Sequence, residues 1–251
     1  MMGLCAIVLT YNEAEHILAC IETLRFADRI VVFDSFSNDP TVQLAQVGGA
    51  EVIQHIFENY ASQRNAALDA VADHADWVLF VDADERVSPE LAGEIRRVIE
   101  ESECAGWRIP RHNYIFGRLT LGAGWYPDYQ TRLLRVGRAR YDPERPVHEV
   151  VLLDGPQGTL NNPLVHFNYR DMAHFKTKQR RYTAYDALVL YEQGIRPEPQ
   201  NYLLQPLRQF WWRFVTLKGY RDGLHGLGLS VLMGWYEWRK YRLLRALWNE
   251  K

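Results

Sequence analysis

Two aspartates at the end of an apolar segment have the residue type and spacing most suited to chemistry. Residues 77–81 are apolar throughout and predict a buried strand, and Asp82-Ala83-Asp84-Glu85 follows it directly. Carboxylates spaced i, i+2 where a chain leaves a sheet can bind Mg²⁺ or Mn²⁺ through hard oxygen ligands and leave room for a diphosphate. Short acidic turns are also common as solvated loops, so the motif alone does not establish a site.

Alternating strand and helix patterns over the first hundred residues predict the elements that position these aspartates. Asp39-Pro40 and Ser88-Pro89 have the residue types of helix N-termini, and Gly48-Gly49 has those of a helix end. The predicted strands are 4–10, 29–34, 51–55 and 77–81, and the predicted helices are 13–24, 40–47, 61–72 and one from residue 89. This order predicts α/β architecture with a doubly wound, mainly parallel sheet.

The pattern of apolar and turn-forming residues changes after residue 105. Short segments broken by Gly, Pro, Asn and Asp predict antiparallel strands and long loops over 106–169, and a helix is predicted at 171–193. We therefore expect a catalytic domain at 1–170, whose halves are 1–105 and 106–170. A helical, amphipathic extension is expected at 171–251, with Pro197-Glu198-Pro199 as a linker.

Composition limits the class of protein. The 251 residues are 47% hydrophobic, which is enough to bury a sizeable core. Cys5, Cys20 and Cys104 are scattered and have no Cys-x-x-Cys spacing, so neither a disulfide framework nor a zinc site is indicated. The first apolar segment has no basic residues before it, which predicts a strand and not a signal peptide. A cytoplasmic location is expected.

Charge is distributed unevenly along the chain. Residues 201–251 contain nine Lys and Arg against three Asp and Glu, whereas the whole chain has a net charge of −2. Five of the eight tryptophans, at 211, 212, 235, 238 and 248, also lie in this tail. Tryptophan mixed with basic residues suits the boundary between anionic head groups and acyl chains, so we expect peripheral binding to the inner face of the cell membrane. Packing onto the main domain or a second subunit is the alternative.

Two other readings of the tail are disfavoured. The longest uncharged stretch, residues 223–236, is shorter than the roughly 20 apolar residues that a membrane-spanning helix needs. Nucleic acid could bind a basic aromatic surface, but the acidic remainder of the chain would repel phosphate backbones. We expect no nucleic-acid partner.

Several segments taken together resemble glycosyltransferase family 2, which has the GT-A fold. They are Thr10-Tyr11-Asn12-Glu13, residues 31–39, Gln63-Arg64-Asn65 and Asp82-Ala83-Asp84. Residues 82–86, 125–134 and 147–149 are most similar to bacterial transferases that add glucose to an inner-core heptose of lipopolysaccharide. The likeness covers about residues 4–170. The resemblance implies inverting transfer of a sugar from a nucleotide-sugar donor to a lipid-linked saccharide, with Mg²⁺ or Mn²⁺ as cofactor. UDP-glucose is the leading candidate for the donor.

The resemblance assigns the donor to residues near the strand ends, where such sheets form nucleotide crevices. The predicted nucleotide-sugar-binding residues are Thr10, Tyr11, Asn12, Glu13, Asp34, Ser35, Arg64, Asp82 and Ala83. Tyr11 is expected against a uracil ring, and Asp82 beside the ribose, directly or through water. Asp84 is the expected metal ligand. The structural alternatives are a helix cap for Asn12-Glu13, a turn carboxylate for Asp34 and a solvated side chain for Arg64.

Inversion requires a base that removes the proton of the acceptor hydroxyl. Asp128 is the expected base, because it lies in a loop before an apparent strand, where the family has its catalytic carboxylate. Many members have Glu-Asp at this point and this chain has Pro-Asp, which also suits a simple turn. Gln130 and Arg132 are predicted to share a strand face with Asp128 and to contact the acceptor or the diphosphate. Glu149 is assigned to the same contacts and is the rival carboxylate.

Histidines leave further alternatives open. His148 is a predicted metal ligand, but it could instead contact the acceptor or be structural. His166 is flanked by apolar residues and suits a core position, and it is the second candidate for the ligand.

A sugar-phosphate nucleotidyltransferase and a non-catalytic scaffold of the same fold are the alternative functions. A nucleotidyltransferase usually has a Gly-rich first loop with a basic residue, and Thr10–Glu13 has neither feature. The presence of Asp82, Asp84 and Asp128 disfavours a non-catalytic scaffold.

Overall fold

The computed structural model describes residues 3–144 and 150–249, so the expectations for His148 and Glu149 lie outside the described residues. The strands are β1 Leu4–Thr10, β2 Arg29–Asp34, β3 Glu51–Gln54, β4 Trp77–Asp82, β5 Glu85–Arg86, β6 Gly106–Ile115, β7 Arg118–Thr120, β8 Tyr129–Arg135, β9 Ala139–Tyr141, β10 Val151–Leu153, β11 Gln157–Thr159 and β12 Leu164–Tyr169. The helices are α1 Ile17–Thr23, α2 Thr41–Val47, α3 Tyr60–Val71, α4 Pro89–Glu101, α5 Met172–Glu192, α6 Asn201–Trp211 and α7 Gly223–Asn249. A π-helical turn, Trp212–Thr216, and a 3-10 turn, Gly219–Asp222, lie between the last two helices.

The described residues form two compact units. The first unit consists of the described parts of 3–111 and 129–166, and the second of 112–128 and 167–249. The second unit therefore combines a loop-rich insertion with the C-terminal helices.

The sheet of the first unit has the strand order β3-β2-β1-β4-β8-β6. Strands β1 to β4 run parallel to one another, whereas β8 pairs antiparallel with both β4 and β6. Strand β5 pairs antiparallel with β12, and His166 lies opposite Glu85. The predicted α/β sheet is confirmed, with a parallel first half and an antiparallel second half.

Alternation along β1 explains why both faces of this sheet are covered. Leu4, Ala6 and Val8 point into a core that α1 and α4 complete, and Cys5 and Ile7 point into a second core against α3. All five side chains are almost fully buried. Strands covered on both faces are apolar at every position, which is why the sequence predicts them well.

The parallel register brings polar residues to one edge of the sheet. Thr10 lies opposite Asp34 on β2, and Leu9 lies opposite Asp82 on β4. Because the carboxyl ends of neighbouring parallel strands meet at this edge, Thr10, Asp34 and Asp82 lie at the same edge of the sheet. A nucleotide crevice there stays a prediction.

The first helix begins later than the sequence predicts. It starts at Ile17 and not at Glu13. Asn12 has a φ of +59°, in the left-handed region, and its backbone N–H donates to Ser37 Oγ at 2.9 Å. Glu13 N donates to Thr41 Oγ1 at 2.8 Å. These bonds to the second βα loop hold residues 11–16 in turns, and the helix begins only after them.

Two other predicted helix starts agree with the structure to within one residue. Ser88, the cap that the sequence pattern indicates, accepts a hydrogen bond through Oγ from Leu91 N at 3.2 Å at the start of α4. Asp171, where the sequence predicts a helix start, caps α5 by accepting from His174 N at 2.8 Å. Helix α2 begins at Thr41, one residue later than predicted, with Pro40 at its N-cap position.

In the second unit, Phe175, Leu229 and Tyr236 of helices α5 and α7 form a core with Ile115 and Tyr169.

Across residues 3–144 and 150–249, no helix has both the length and the apolar character needed to cross a bilayer.

Candidate functional site

Asp82, the last residue of β4, lies between two buried arginines. Arg132 of β8 donates to both of its carboxylate oxygens, with Nη1 3.2 Å from Oδ1 and a shorter contact from Nη2 to Oδ2. Arg64 of α3 donates from Nη2 to Oδ1 at 3.2 Å. The two arginine side chains are 5% and 6% exposed, whereas that of Asp82 is 33% exposed. The carboxylate is therefore held rigidly while one side of it still meets solvent.

These arginines determine the charge of Asp82. Burial on its own raises the pKa of the Asp82 carboxyl, but the guanidinium groups of Arg132 and Arg64 outweigh it and hold the pKa well below its usual range. Burial alone would lower the pKa of Arg132, and the carboxylates of Asp82 and Glu85 reverse that effect and raise it. Both partners are fully ionised at neutral pH.

Glu85 stabilises the turn that follows β4. Its side chain is fully buried, and one oxygen accepts from the backbone N–H of Asp82 at 2.9 Å. The other oxygen lies 3.2 Å from Arg111 Nη1 and 3.6 Å from Arg132 Nη2. Glu85 is thus a positioning residue for Asp82, and Arg111 is a member of this cluster that the sequence did not indicate. No local pattern could have shown it, because the pairing depends on the fold.

Asp34 at the end of β2 is fully buried and organises the loop that follows it. Its carboxylate accepts hydrogen bonds from Thr10 Oγ1 at 2.9 Å, Ser37 N at 2.9 Å and Gln54 Nε2 at 3.1 Å, and also from Ser37 Oγ. A direct contact between Asp34 and a nucleotide, as predicted, would require one of these donors to move. The direct contact stays a prediction.

The loop after β1 is built by side chains that accept from backbone N–H groups. Asn12 Oδ1 accepts from Asn38 N at 2.9 Å, and Ser35 N donates to the carbonyl of Thr10 at 2.9 Å. Ser35 Oγ accepts from Gln63 Nε2 at 3.1 Å. Four predicted residues of the first two βα loops, Thr10, Asn12, Glu13 and Ser35, are therefore tied to one hydrogen-bonded frame.

Tyr11 projects from this frame. It is 59% exposed, although it follows a buried strand directly. An exposed aromatic ring above an ordered loop offers a flat apolar surface for a planar group. This is the placement that the predicted contact with a uracil ring needs.

Arg64 is buried within α3 and not solvated, so the alternative of a solvated arginine is excluded. Its guanidinium lies 5.0 Å from the ring centre of Phe80 and 5.5 Å from that of Tyr141, in addition to its bond to Asp82. The side chain orients Asp82, and a phosphate contact stays a prediction.

Asp84 lies one residue beyond the buried Ala83 and close to His166. The Oδ2 atom of Asp84 is 3.4 Å from Nε2 of His166, and the two side chains are 22% and 9% exposed. Arg86 Nη1 donates to the carbonyl of Ala83 at 2.7 Å, which holds the turn that presents Asp84. The sequence named His166 only as the second candidate for a ligand beside Asp84, and the described residues bring these two together.

A carboxylate and an imidazole at this separation form a donor pair suited to a divalent cation. Mg²⁺ and Mn²⁺ are commonly held by one or two protein ligands together with substrate phosphates and water. Across residues 3–144 and 150–249, no group of three or more His, Cys, Asp and Glu could hold a metal ion. The pair therefore fits a site that substrate oxygens complete.

Asp128, the expected base, belongs to the second unit. Asn113 Nδ2 donates to Asp128 Oδ2 at 3.1 Å and to the carbonyl of Trp125 at 2.8 Å. Asn113 Oδ1 in turn accepts from Asn168 Nδ2 at 3.1 Å. Asn113 is fully buried, so the carboxylate is oriented by a fixed amide. No sequence pattern indicated Asn113 or Asn168, because each is a single polar residue in a strand.

Of the residues expected to follow Asp128 on one strand face, Gln130 and Arg132 both lie on β8, which begins at Tyr129. Gln130 lies opposite Ile109 of β6 and is half-buried. Arg132 contacts Asp82 and Glu85, and its contact with an acceptor or a diphosphate stays a prediction.

Comparison with known proteins extends these observations. The model of the family described as glycosyl transferase family 2 matches residues 5–144. The chain is 30% identical over 241 residues to the lipopolysaccharide core biosynthesis glycosyltransferase LpsC of Rhizobium meliloti (strain 1021), covering 91% of this chain and 85% of that protein.

Solved structures show the same architecture. The crystal structure of S. aureus TarS 1-349 is 15% identical, covers 99% of this chain and 92% of that chain, and has a TM-score of 0.50. Glucosyl-3-phosphoglycerate synthase from Mycobacterium tuberculosis, in complex with Mn²⁺, UDP and glucosyl-3-phosphoglycerate, is 17% identical over 79% of this chain and 82% of that chain, with a TM-score of 0.47. The match to TarS is a likeness of fold, and the sheet of the first unit with its covering helices has the GT-A fold.

Proposed function

Because the chain belongs to glycosyl transferase family 2, we propose that it transfers glucose from UDP-glucose, with inversion, to a saccharide of the lipopolysaccharide core or a related cell-envelope glycan. The observation that carries this proposal is the turn after β4. There Asp82 is held ionised by two arginines, and Asp84 lies 3.4 Å from a histidine nitrogen, at the sheet edge where nucleotides bind in such folds. The match to LpsC over most of both chains supports the choice of a cell-envelope acceptor.

The donor's nucleoside is assigned to the frame of the first two βα loops. The exposed ring of Tyr11 stacks on the base, and the solvent-facing side of Asp82 accepts a hydrogen bond from the ribose. Arg64 and Arg132 hold Asp82 in place and add positive charge where a diphosphate binds. Ala83 and Glu13 border the same edge.

The cation is assigned to Asp84, with His166 as its partner. The predicted ligand His148 lies outside the described residues and stays a second candidate. A divalent cation there neutralises the negative charge that develops on the diphosphate as the nucleotide leaves. The described residues offer one carboxylate and one imidazole, so substrate oxygens would complete the coordination and metal and nucleotide would bind together.

Asp128 is the proposed base. As a carboxylate it accepts the proton of the acceptor hydroxyl as that oxygen attacks the anomeric carbon and the bond to the diphosphate breaks. Asn113 is proposed as its positioning residue, because the fixed amide donates to one carboxylate oxygen. Gln130 and Glu149 keep their predicted roles as acceptor or diphosphate contacts. The acceptor is proposed to be lipid-linked and to be modified at the inner face of the cell membrane.

The experiment is a thermal-shift and turnover measurement on Asp84→Asn. UDP with Mn²⁺ should raise the unfolding midpoint of the unchanged protein more than UDP alone, since a ligand that binds only the folded state stabilises it. Asp84→Asn should lose this metal-dependent increase and the transfer of glucose, with its own midpoint in buffer unchanged. Asp69→Asn is the matched control, because Asp69 is an exposed carboxylate on the same unit, paired with Arg140.

Two results would contradict the assignment. If Asp84→Asn keeps the full metal-dependent increase and full turnover, Asp84 is not a ligand. If the unchanged protein responds to a different nucleoside diphosphate and not to UDP, the donor is wrong while the family-level activity stands.

A further inference from the structure

Helix α6 has one broad apolar face, and only one side of this face packs on the described part of the protein. On the packed side, α6 lies so close to α7 that a Cβ built on Gly234 would be 3.1 Å from the carbonyl oxygen of Pro206 and 3.6 Å from the Cβ of Phe210. On the other side, none of the apolar residues is covered by the described part of the chain. This second side consists of Leu203, Leu204, Leu207 and Trp211, which are 64%, 57%, 56% and 63% exposed.

These four residues form one continuous stripe. At 100° per residue, Leu207, Trp211 and Leu204 lie about 40°, 80° and 100° around the helix from Leu203. An apolar arc of about 100° is the width that normally faces a protein core. We call the four residues the α6 face.

Positive charge flanks the α6 face. Arg208 is exposed and lies about 40° beyond Leu204 on the same helix. Residues 201–251 as a whole contain nine Lys and Arg against three Asp and Glu. A second copy of this chain would bring the same positive charge to the interface, so like-charge repulsion disfavours it as the occupant.

A cavity lies at the N-terminal end of the same helix. Its volume is about 500 Å³, and its lining includes Arg196, Tyr202, Arg245 and Trp248. The Arg196 guanidinium lies 4.6 Å from the Trp248 ring centre, so this arginine is held at the cavity wall. Two guanidinium groups beside aromatic rings can bind a phosphate whose remainder is apolar or glycosidic.

We propose that the α6 face and this cavity together bind the surface of an anionic lipid bilayer. The leucines and Trp211 enter the boundary between head groups and acyl chains, and Arg196 and Arg245 bind head-group phosphates. The proposal rests on the proposed function only for its choice of partner, since a lipid-linked acceptor would be reached from such a surface. Binding itself requires neither donor nor acceptor.

The test is flotation of the full chain with vesicles of phosphatidylcholine alone and with vesicles of phosphatidylcholine and phosphatidylglycerol in equal parts. The unchanged protein should float with the anionic vesicles and far less with the neutral ones. Leu203→Ser with Leu207→Ser should lower binding to anionic vesicles by at least about tenfold, because two apolar side chains no longer leave water. Arg196→Glu with Arg245→Glu should abolish the preference for anionic vesicles.

The control is Val47→Ser with Leu152→Ser, which removes two exposed apolar side chains of the first unit and should float like the unchanged protein. Circular dichroism and the thermal midpoint establish that each variant is folded. Equal flotation of the leucine variant and the unchanged protein would overturn the proposal. So would a concentration-dependent dimer in size-exclusion chromatography that the leucine variant alone abolishes, since a second copy would then cover the α6 face.

A turnover measurement on a water-soluble acceptor separates this proposal from the previous one. A leucine variant that turns over such an acceptor normally and does not float supports the membrane surface. An unchanged protein that turns over the acceptor but floats equally with neutral and anionic vesicles overturns the surface and leaves the proposed function intact. An unchanged protein that floats with anionic vesicles and has no glucosyltransferase activity contradicts only the proposed function.

Discussion

Replacement of Arg132 by methionine should lower stability far more than replacement of a surface arginine. The Arg132 side chain is 6% exposed and contacts both Asp82 and Glu85. Methionine fills a similar volume without charge, so the change removes the ion pairs and leaves the packing largely intact. Glu85 would then keep Arg111, and Asp82 would keep Arg64.

The magnitude follows from this geometry. Removing one partner of a buried ion pair typically costs about 3–5 kcal/mol. Two arginines remain beside the two carboxylates, so we expect a loss of about 3 kcal/mol in the free energy of unfolding, at the lower end of that range. For a chain of this size each 1 kcal/mol lowers the melting temperature by about 2–4 °C, so the expected decrease is about 6–12 °C.

Arg140→Met is the matched control. Arg140 also pairs with an aspartate, Asp69, but the two side chains are 56% and 59% exposed. Exposed ion pairs contribute about 0–1 kcal/mol, so this variant should melt within about 2–4 °C of the unchanged protein. Both variants are measured at pH 7.5 by circular dichroism and by calorimetry.

The pH dependence gives a second check. The pKa of Asp82 is lower in the folded state than its usual 3.8. Its ion pairs therefore contribute stability that is fully present above about pH 4 and is lost as the pH falls through the lowered value. The difference in the free energy of unfolding between Arg132→Met and the unchanged protein should be constant from neutral pH down to about pH 4. Below about pH 4 this difference should become smaller. Equal melting of the two arginine variants at neutral pH would refute the reasoning.

The remaining predictions concern the second unit and the base. Asp128→Asn should lower turnover by about 10²- to 10⁴-fold with UDP binding kept. Loss of transfer in Glu149→Gln alone, at saturating donor, would make Glu149 the base. Asn113→Ala removes the amide that orients Asp128, so turnover should fall with UDP binding kept; unchanged turnover in a folded variant would make Asn113 purely structural. Gly226→Ala should destabilise the chain by about 1–3 kcal/mol, because the new Cβ would lie 1.9 Å from the carbonyl oxygen of Gly219. Gly228→Ala, in open space on the same helix, should instead stabilise by about 0.5–1 kcal/mol, and denaturant unfolding of the two variants tests the contrast.

Much of the first unit could be predicted from local patterns. Strand β4 and the turn after it are visible as an apolar segment followed by Asp82-Ala83-Asp84. The cap at Ser88 is predicted equally well, because capping is a bond between residues three positions apart. Parallel strands are apolar on both faces, so their carboxyl ends, and the residues that meet there, follow from the order of elements.

The start of α1 shows where local patterns fail. Residues 13–16 have a helical pattern, but Glu13 N donates to Thr41, in a segment that is distant in sequence. This hydrogen bond can be recognised only in the folded structure, where the two segments are adjacent.

By itself, the sequence determined which elements form and which polar residues the sheet brings to its carboxyl edge. The tertiary structure alone decided the partners of those residues. Arg132 contacts Asp82 across 50 positions, His166 lies beside Asp84, and Asn113 orients Asp128. The physical reason is that hydrogen bonds and ion pairs act over a few ångströms, so pairs distant in sequence depend on strand register and helix packing that no local pattern records.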